Sequence, residues 1–352
     1  MIINILKLFI PTASAFFIGI LLTPFLTHFL YKHKMWKKRA GKVAPDGSAT
    51  PIFNELHKDK EVGTPRMGGI IIWASTIIVT VLFSFWAQFS HLALAQKLNF
   101  LSRNQTLLPL MTLIFASLVG LLDDYLQIRP VGDSATAGLS FWKRASLVTA
   151  IGILGGVWFY SKLGVSAITI PFYGPIFIGI LIIPLFVAVM LFLFSSGVVD
   201  GLDGLSGGIM TVIFSAYAGI AFFQNQIDLA TLCGVIAGST LAFLWFNIPP
   251  ARFYMSETGI LGLTTTLTVV AFLTDSVLVL PIIALPLIIT SLSVIIQLGS
   301  KKLRHGKKVF KVAPLHHHFE AIGWPAYKVV MRYWVISVVV AIIGMIIALL
   351  GH

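Results

Sequence analysis

The sequence is poor in charge and almost without cysteine. Only 11% of its 352 residues are charged, whereas 57% are hydrophobic and the mean hydropathy is +0.93; a soluble domain is about a quarter charged. The single cysteine, Cys233, excludes disulfides within the chain, and its apolar surroundings indicate core packing. Without a soluble domain to present a basic face, nucleic acid is not an expected partner. We therefore predict an all-α polytopic membrane protein.

Apolar runs long enough to cross a bilayer predict about ten transmembrane helices, in a single integral-membrane domain over residues 1–352. Their approximate bounds are 4–30, 68–88, 106–122, 143–161, 174–194, 205–223, 229–247, 258–274, 276–297 and 329–350. The first run is too long for a signal-peptide core and no small-residue cleavage site follows it, so we expect a retained helix. Ten crossings leave five loops on one face, at about 31–67, 123–142, 195–204, 248–257 and 298–328.

Both signs of charge concentrate on the face that carries these five loops. It holds 21 of the 25 lysines and arginines, so the positive-inside rule makes it cytoplasmic and places both termini outside. It also holds 11 of the 13 acids, all except Asp228 and Asp275. Because membrane insertion does not sort acids, a cytoplasmic active site is the expected cause. The net charge of +12 fits attraction to anionic lipid as well as capture of an anionic substrate.

Two aspartate pairs stand at predicted helix ends. Neighbouring helical residues point about 100° apart, so one of Asp123 and Asp124 can face a site while the other pairs with a cation or caps a helix. The alternative is two solvated acids. If their segment is helical, Asp200 and Asp203 share one face of it, and the glycines beside them would allow a ligand close approach. Such a pair suits Mg²⁺ on a diphosphate, unless it only caps a helix.

Three further segments carry polar or small residues. In the loop at 247–259, Tyr254 or Phe253 could stack on a base and Glu257 could reach a metal, or the aromatics could anchor at the membrane interface. The triple histidine in 313–320 follows the basic run 301–308, and imidazoles beside cations suit a phosphate; a solvated turn is the alternative. The small residues of Gly-Thr-Pro-Arg-Met-Gly-Gly at 63–69 could admit a substrate or a neighbouring helix, or form a flexible loop.

Together these motifs resemble the polyprenyl-phosphate N-acetylhexosamine-1-phosphate transferases, over nearly the whole chain. The matching pieces are 63–69, 123–126, 138–140, 200–205, Asn247 with 250–251, 255–259 and 314–320. The string Pro-Leu-His-His-His-Phe-Glu is typical of the phospho-N-acetylmuramoyl-pentapeptide transferase branch and separates it from the N-acetylglucosamine-1-phosphate transferases. That branch transfers phospho-MurNAc-pentapeptide from UDP-MurNAc-pentapeptide to undecaprenyl phosphate with Mg²⁺. The products, lipid I and UMP, belong to peptidoglycan synthesis at the bacterial plasma membrane.

The resemblance also implies roles for individual residues. Asp123 would position or deprotonate the lipid phosphate with Asp124 beside it, and Asp200 and Glu257 would serve the metal. The implied catalytic residues are Asp123, Asp124, Asp200, His316, His317 and His318. The implied substrate-binding residues are Thr64, Lys143, Arg144, Asp203, Asn247, Tyr254 and Gln297. Many relatives are thought to dimerise, which leaves a homodimer open for this chain.

The chain departs from the family pattern in three places. It has Gly-Val-Val at 197–199 instead of Asn-Leu-Thr, Met-Ser-Glu at 255–257 instead of Met-Gly-Asp, and Gln127 instead of a lysine. Lys143 and Arg144 could supply the lost charge. A less active paralogue and an enzyme for another UDP-sugar therefore stay open as alternatives. A lipid-linked transporter is disfavoured, because charged residues within the spans are nearly absent.

Overall fold

The computed structural model describes residues 1–38, 62–129 and 138–351. This part of the chain contains thirteen α-helices and one short antiparallel hairpin. The helices are α1 Ile2–Lys32, α2 Ile70–Phe89, α3 Ala93–Leu98, α4 Leu107–Ile128, α5 Phe141–Lys162, α6 Ile182–Ser195, α7 Leu205–Phe223, α8 Ile227–Asn247, α9 Ser256–Leu273, α10 Leu280–Ile283, α11 Leu285–Leu303, α12 Leu315–Ala321 and α13 Ala326–Leu350. Strands β1 (Ala167–Ile170) and β2 (Gly174–Phe177) pair with Ala167 opposite Phe177, and 3₁₀ turns at Gly179–Leu181 and Ser196–Val199 flank α6.

Nine helices in the described part are long and apolar enough to cross a membrane, which confirms the polytopic prediction. The predicted ninth span, 276–297, is wrong as a single helix, because it divides into α10 and α11 at Ala284. Pro281 and Pro286 stand in the first turns of these two helices, where a missing N–H is tolerated, but within one continuous helix Pro286 would break the hydrogen-bond ladder.

Seven of the other predicted spans agree with one helix to within three residues at each end. The predicted span 106–122 ends too early, because α4 continues to Ile128, so the predicted loop 123–142 begins inside this helix and Asp123 and Asp124 are helical. The predicted span 174–194 begins too early, since its first four residues form β2. Most of the predicted loop 31–67, with its expected turn at Asp46-Gly47, and the stretch 130–137 of the loop 123–142 lie outside the described residues.

Small residues control how closely the central helices pack. A Cβ on Gly120 of α4 would lie 2.1 Å from the carbonyl oxygen of Glu257, and one on Gly262 of α9 would lie 2.1 Å from the Ser117 hydroxyl oxygen. Such contacts let backbones approach where lipid supplies no hydrophobic drive for association. Because α4 and α9 pack this closely, the end of α4 that carries Asp123 is brought beside the beginning of α9.

The re-entry segment 63–69 is fixed to the start of α9 by its backbone. The Gly68 amide donates to the Tyr254 carbonyl at 2.8 Å, and the Tyr254 amide donates to the Pro65 carbonyl at 2.9 Å. A Cβ on Gly69 would lie 2.3 Å from the Gly259 Cα, so the glycines serve close helix approach, as one of the two sequence interpretations predicted. This pairing also places Arg66 beside α4.

Candidate active site

Five elements meet at one end of the helix bundle, and the predicted polar clusters lie on them. They are the end of α4, the beginnings of α5 and α9, the turn between α6 and α7, and α12. The Asp200 carboxylate accepts from the Ser256 amide at 2.9 Å, which joins the turn to α9. A Cβ on Gly201 would lie 2.4 Å from His316 Nε2 and 2.8 Å from His317 Nε2. The tertiary fold therefore joins groups that are more than 100 residues apart in the chain.

Asp124 is buried and saturated with hydrogen bonds. Its Oδ1 accepts from Arg66 Nε at 3.1 Å and from Arg66 Nη2 at 3.0 Å. Its Oδ2 accepts from the Thr258 amide at 2.9 Å and from the Thr258 hydroxyl at 2.6 Å. Burial alone would lower the pKa of the Arg66 guanidinium, but the charges of Asp124, Glu257 and Asp200 outweigh it and raise that pKa above its ordinary value. Asp124 thus connects α4, α9 and the re-entry segment.

Asp123 points to a different set of partners, as expected for adjacent helical residues. Its Oδ2 accepts from Gln127 Nε2 at 2.8 Å and lies 3.5 Å from Arg144 Nη1, and its Oδ1 accepts from the Leu139 amide at 2.5 Å. Gly138 fits against it with φ +107, where a Cβ would lie 2.9 Å from Asp123 Oδ1. The two aspartates therefore point to different partners: Asp124 pairs with Arg66, and Asp123 faces the α5 side, where it contacts Arg144.

Arg144 lies between two carboxylates. Its Nη1 forms an ion pair with Glu257 Oε1 as well as the longer contact to Asp123. The Glu257 side chain is 25% exposed and that of Arg144 is 19% exposed, whereas Asp123 is only 1% exposed. Lys143, the neighbouring predicted substrate residue, is exposed at the start of α5. Of the two cations expected to replace the missing lysine charge, Arg144 is thus the one that reaches the carboxylates.

The Asp200 to Asp203 segment is a turn and not the helix that the spacing suggested. Asp200 accepts from the Ser206 hydroxyl at 2.7 Å and Asp203 from the Ala251 amide at 3.3 Å, so the two carboxylates serve different loops. The alternative of a helix cap is also wrong, because α7 begins after Gly204, whose φ of +80 favours glycine and which offers no side-chain cap.

Asn247 and Gln297, two predicted substrate contacts, use their amides to hold backbone. Asn247 accepts from the Gly204 amide at 2.9 Å and donates to the Phe253 carbonyl at 2.9 Å. Gln297 accepts from the Val309 and Phe310 amides at 3.1 and 3.0 Å and donates to the Phe310 carbonyl at 2.8 Å. Both side chains are almost completely buried. Each therefore shapes a loop of the polar end.

The three histidines occupy different environments on the short helix α12. His316 and His317 are buried beside Gly201, and His317 Nδ1 lies 2.7 Å from Glu320 Oε2. His318 is half-buried, and its Nδ1 accepts from the Lys311 amide at 3.2 Å. The helix is tied to α11 through the Leu315 amide, which donates to the Ser293 hydroxyl. Two of the three imidazoles therefore adjoin the Asp200 turn.

The two aromatic residues before α9 differ in burial. Phe253 is fully buried against Phe243 and Phe246, with ring centroids 5.8 and 6.2 Å apart, so it is not available to stack on a base. Tyr254 is half-buried and remains the candidate. Thr64, in the re-entry segment, is also half-buried.

Two polar contacts of the site were missed at the sequence level. Arg66 was part of the motif at 63–69, but only Thr64 was selected from it, although an arginine near buried acids is a signal for an ion pair. Thr258 was not selected, because a threonine in an apolar helix ordinarily bonds to its own backbone. Its contact to Asp124 depends on helices that are 134 residues apart in sequence.

The donor set matches only part of a Mg²⁺ site. Carboxylate oxygens are suitable ligands, and Mg²⁺ commonly takes one or two of them together with substrate phosphates. Among residues 1–38, 62–129 and 138–351, no group of three His, Cys, Asp or Glu side chains could hold a metal ion. The described carboxylates would therefore need phosphate oxygens to complete the coordination of an ion, and Glu257 is more exposed than Asp123 and Asp124.

Comparison with known proteins indicates the family of the chain. Glycosyl transferase family 4 matches residues 106–275, the stretch from α4 to α9 that contains Asp123, Asp124, Asp200 and Glu257. Proteins named phospho-N-acetylmuramoyl-pentapeptide-transferase from Chloroflexus aggregans and Chloroflexus aurantiacus are each 32% identical, over 96% of this chain and 88% of their own length. A protein of the same name from Francisella philomiragia is 33% identical over 88% of the chain and 85% of its own length.

The fold and the matched family define a class of multi-pass membrane phosphotransferases. Within that class, the chain belongs to the phospho-N-acetylmuramoyl-pentapeptide-transferase family. This confirms the resemblance that the motifs indicated. The residue roles implied by that resemblance stay predictions.

Proposed function

We propose that this protein transfers phospho-MurNAc-pentapeptide from UDP-MurNAc-pentapeptide to undecaprenyl phosphate, forming lipid I and UMP. The proposal depends most on one observation: four carboxylates, two guanidinium groups and two buried imidazoles converge at one end of a bundle of membrane-crossing helices. The names of its relatives support the same reaction.

The reaction joins one phosphate to another. An oxygen of the acceptor phosphate forms a bond to the sugar-bearing phosphorus of the donor, the bond from that phosphorus to the bridging oxygen breaks, and UMP leaves with the electron pair. A phosphate monoester has a second pKa near 6, so at pH 7 about nine-tenths of the acceptor is already a dianion. Alignment and charge neutralisation therefore matter more than proton removal.

Asp123 has the position of an alignment residue in this proposal. Gln127, Leu139 and Arg144 surround its carboxylate, which is held rigidly while the α5 side of the site stays polar. Asp124 would act indirectly, by fixing Arg66 and α9. His316, His317 and His318 would contribute donors to the phosphates near the Asp200 turn.

Glu257 and Asp200 would hold Mg²⁺, together with phosphate oxygens of the donor. The ion would neutralise charge on the diphosphate as UMP departs. Lys143 and Arg144 would supply further positive charge, Tyr254 would stack on uracil, and Thr64 would contact the substrate. Asp203, Asn247 and Gln297 would serve binding by shaping the loops that surround the donor.

The polar end is proposed to face the cytoplasm of a bacterium, at the plasma membrane. This orientation follows the positive charge of the loops. If α10 and α11 together make a tenth crossing, both termini lie outside. Association into a homodimer is compatible with this arrangement.

A related enzyme that uses a different UDP-sugar is the second candidate. This candidate is favoured by Glu257 and Gln127, which replace the aspartate and the lysine of the family pattern near the expected metal and acceptor positions.

UMP release from purified protein in detergent tests the proposal. We expect release that requires UDP-MurNAc-pentapeptide, undecaprenyl phosphate and Mg²⁺ or Mn²⁺ together. UDP-N-acetylglucosamine is the matched control donor and should give no release. Release only with the control donor would favour the second candidate, and no release with either from folded protein would reject the transferase.

A further inference from the structure

Arg144 makes a contact that a simple substrate-binding role does not require. One guanidinium nitrogen, Nη1, contacts both Glu257 and Asp123, which belong to different helices. Two carboxylates this close repel each other, and a cation between them removes that repulsion. Arg144 therefore acts as a counter-ion inside the cluster.

The guanidinium uses little of its hydrogen-bonding capacity in this position. An arginine has five N–H donors in a planar fork that matches a phosphate or a carboxylate with two parallel bonds. Here both contacts come from the same nitrogen, and Nε is buried without a hydrogen-bond partner among the residues that the structure describes. Charge therefore holds Arg144 more than geometry does, and a better-shaped anion could draw it away.

A divalent cation beside Glu257 would compete with this guanidinium. Both are attracted to the same Glu257 oxygen, and two cations at that distance repel each other. The Glu257 side chain is also 25% exposed, whereas the Asp123 and Asp124 side chains are buried. Exchange of one cation for another would thus occur on the Glu257 side.

We propose that Arg144 is a resident counter-cation of Glu257 and Asp123, which a divalent cation replaces when a diphosphate draws the guanidinium away. The inference deepens the proposed function and rests on it for the identity of the diphosphate. Metal binding and nucleotide binding are then coupled through one side chain. Arg144 opposes metal binding before the diphosphate arrives and assists the diphosphate once it binds.

The test measures two affinities in detergent-solubilised protein. Mn²⁺ binding without nucleotide is followed by electron paramagnetic resonance, and UDP binding without metal by calorimetry. We expect Arg144→Gln to tighten Mn²⁺ binding about tenfold, because a unit charge beside the ion is lost. The same variant should weaken UDP binding about tenfold, because the fork for the diphosphate is lost.

The opposite signs of these two changes distinguish the proposal from a structural role, which would weaken both affinities together. Arg129→Gln is the matched control, since Arg129 is exposed on the same end and stacks on Tyr125; both affinities should stay within twofold of wild type. Unchanged or weaker Mn²⁺ binding in Arg144→Gln, or equal tightening in the control, overturns the proposal.

A second variant keeps the test decisive if Arg144→Gln does not fold. Glu257→Asp shortens the carboxylate by one methylene and should lose the ion pair to Arg144, so Mn²⁺ binding without nucleotide should tighten about threefold. Equal or weaker binding would contradict the inference. UMP release by wild-type protein reports separately on the transferase. If UMP is released but the Mn²⁺ and UDP affinities do not change in opposite directions, only this inference is rejected. If the affinities change as expected but no UMP is released, only the assigned reaction is rejected.

Discussion

The two ends of the helix bundle use the same residue types in different ways. At the end opposite the site, Asp228 pairs with Lys7 at 2.5 Å, and Asp275 accepts from the Thr169 amide at 3.0 Å and from its hydroxyl. Each of these acids joins two elements on its own. At the polar end, several carboxylates share a few cations and backbone amides.

This difference indicates where stability is given up for chemistry. An isolated pair at a surface is neutral and replaceable, whereas neighbouring carboxylates that share Arg144 repel each other and are held together by the surrounding fold. Within the polar end, Asp124 resembles Asp228 and Asp275 because its partners, Arg66 and Thr258, join structural elements. Asp123 and Glu257 differ from it because they share one cation, Arg144.

The largest effect is expected for Asp124→Asn, on stability. The Arg66 charge, which is only 16% exposed, would be left without its partner, and breaking a buried pair costs about 3–5 kcal/mol. Thermal unfolding in detergent should show a clearly lower midpoint than wild type. The double variant Asp124→Leu with Arg66→Met should regain much of the loss, because no unpaired charge remains. A wild-type midpoint in Asp124→Asn would refute the structural assignment.

Asp123→Asn should leave the unfolding midpoint close to wild type but lower the turnover of UMP release about 100-fold, through misalignment of the acceptor. Activity should not recover at pH 8–9. Arg66 does not confound this comparison: the charge of Asp124 raises the folded pKa of Arg66 above its ordinary value, so the guanidinium keeps its charge and its ion pair at pH 8–9. Full recovery at pH 8–9 would instead show that Asp123 removes a proton.

Gly201→Ala should have an intermediate effect. The new methyl would displace His316 and His317, because the Cβ would lie 2.4 and 2.8 Å from their Nε2 atoms. We expect about tenfold lower UMP release with little change in the midpoint, since the rings can shift. Gly197→Ala, only four residues earlier, is the matched control, because its Cβ would meet Ile260 at an ordinary 3.6 Å. Equal effects of the two variants would argue against a role for the imidazoles.

Asp228→Asn, at the opposite end, should have the smallest effect. Its ion pair with Lys7 has side-chain exposures of 24% and 17%, and such pairs contribute about 0–1 kcal/mol. The unfolding midpoint should fall by about a degree or two, which corresponds to about 1 kcal/mol or less of unfolding free energy for a chain of this size. UMP release should be unchanged. A loss of activity comparable with that of Asp123→Asn would remove the distinction between the two ends.

The sequence was a reliable guide to the helices and to the polar clusters. Apolar runs in a bilayer must satisfy their backbone internally, and a helix does so whatever its neighbours are; this is why α7, α8 and α9 lie close to their predicted bounds. The family resemblance was also readable, because it depended on strings such as 314–320. The break at Ala284 was less accessible, since proline position alone does not distinguish a kinked helix from two helices.

What the sequence by itself determined is therefore the class of protein, most of the spanning segments and the residue types available for phosphate chemistry. Only the tertiary structure decided which partners each polar side chain contacts. Asp123 and Asp124 are adjacent and identical in type, yet the close packing of α4 on α9 at Gly120 and Gly262 gives one of them Arg66 and Thr258 and the other Arg144. The physical reason is that an ion pair or hydrogen bond depends on distances of about 3 Å. Sequence spacing cannot specify such distances between helices that are more than 100 residues apart.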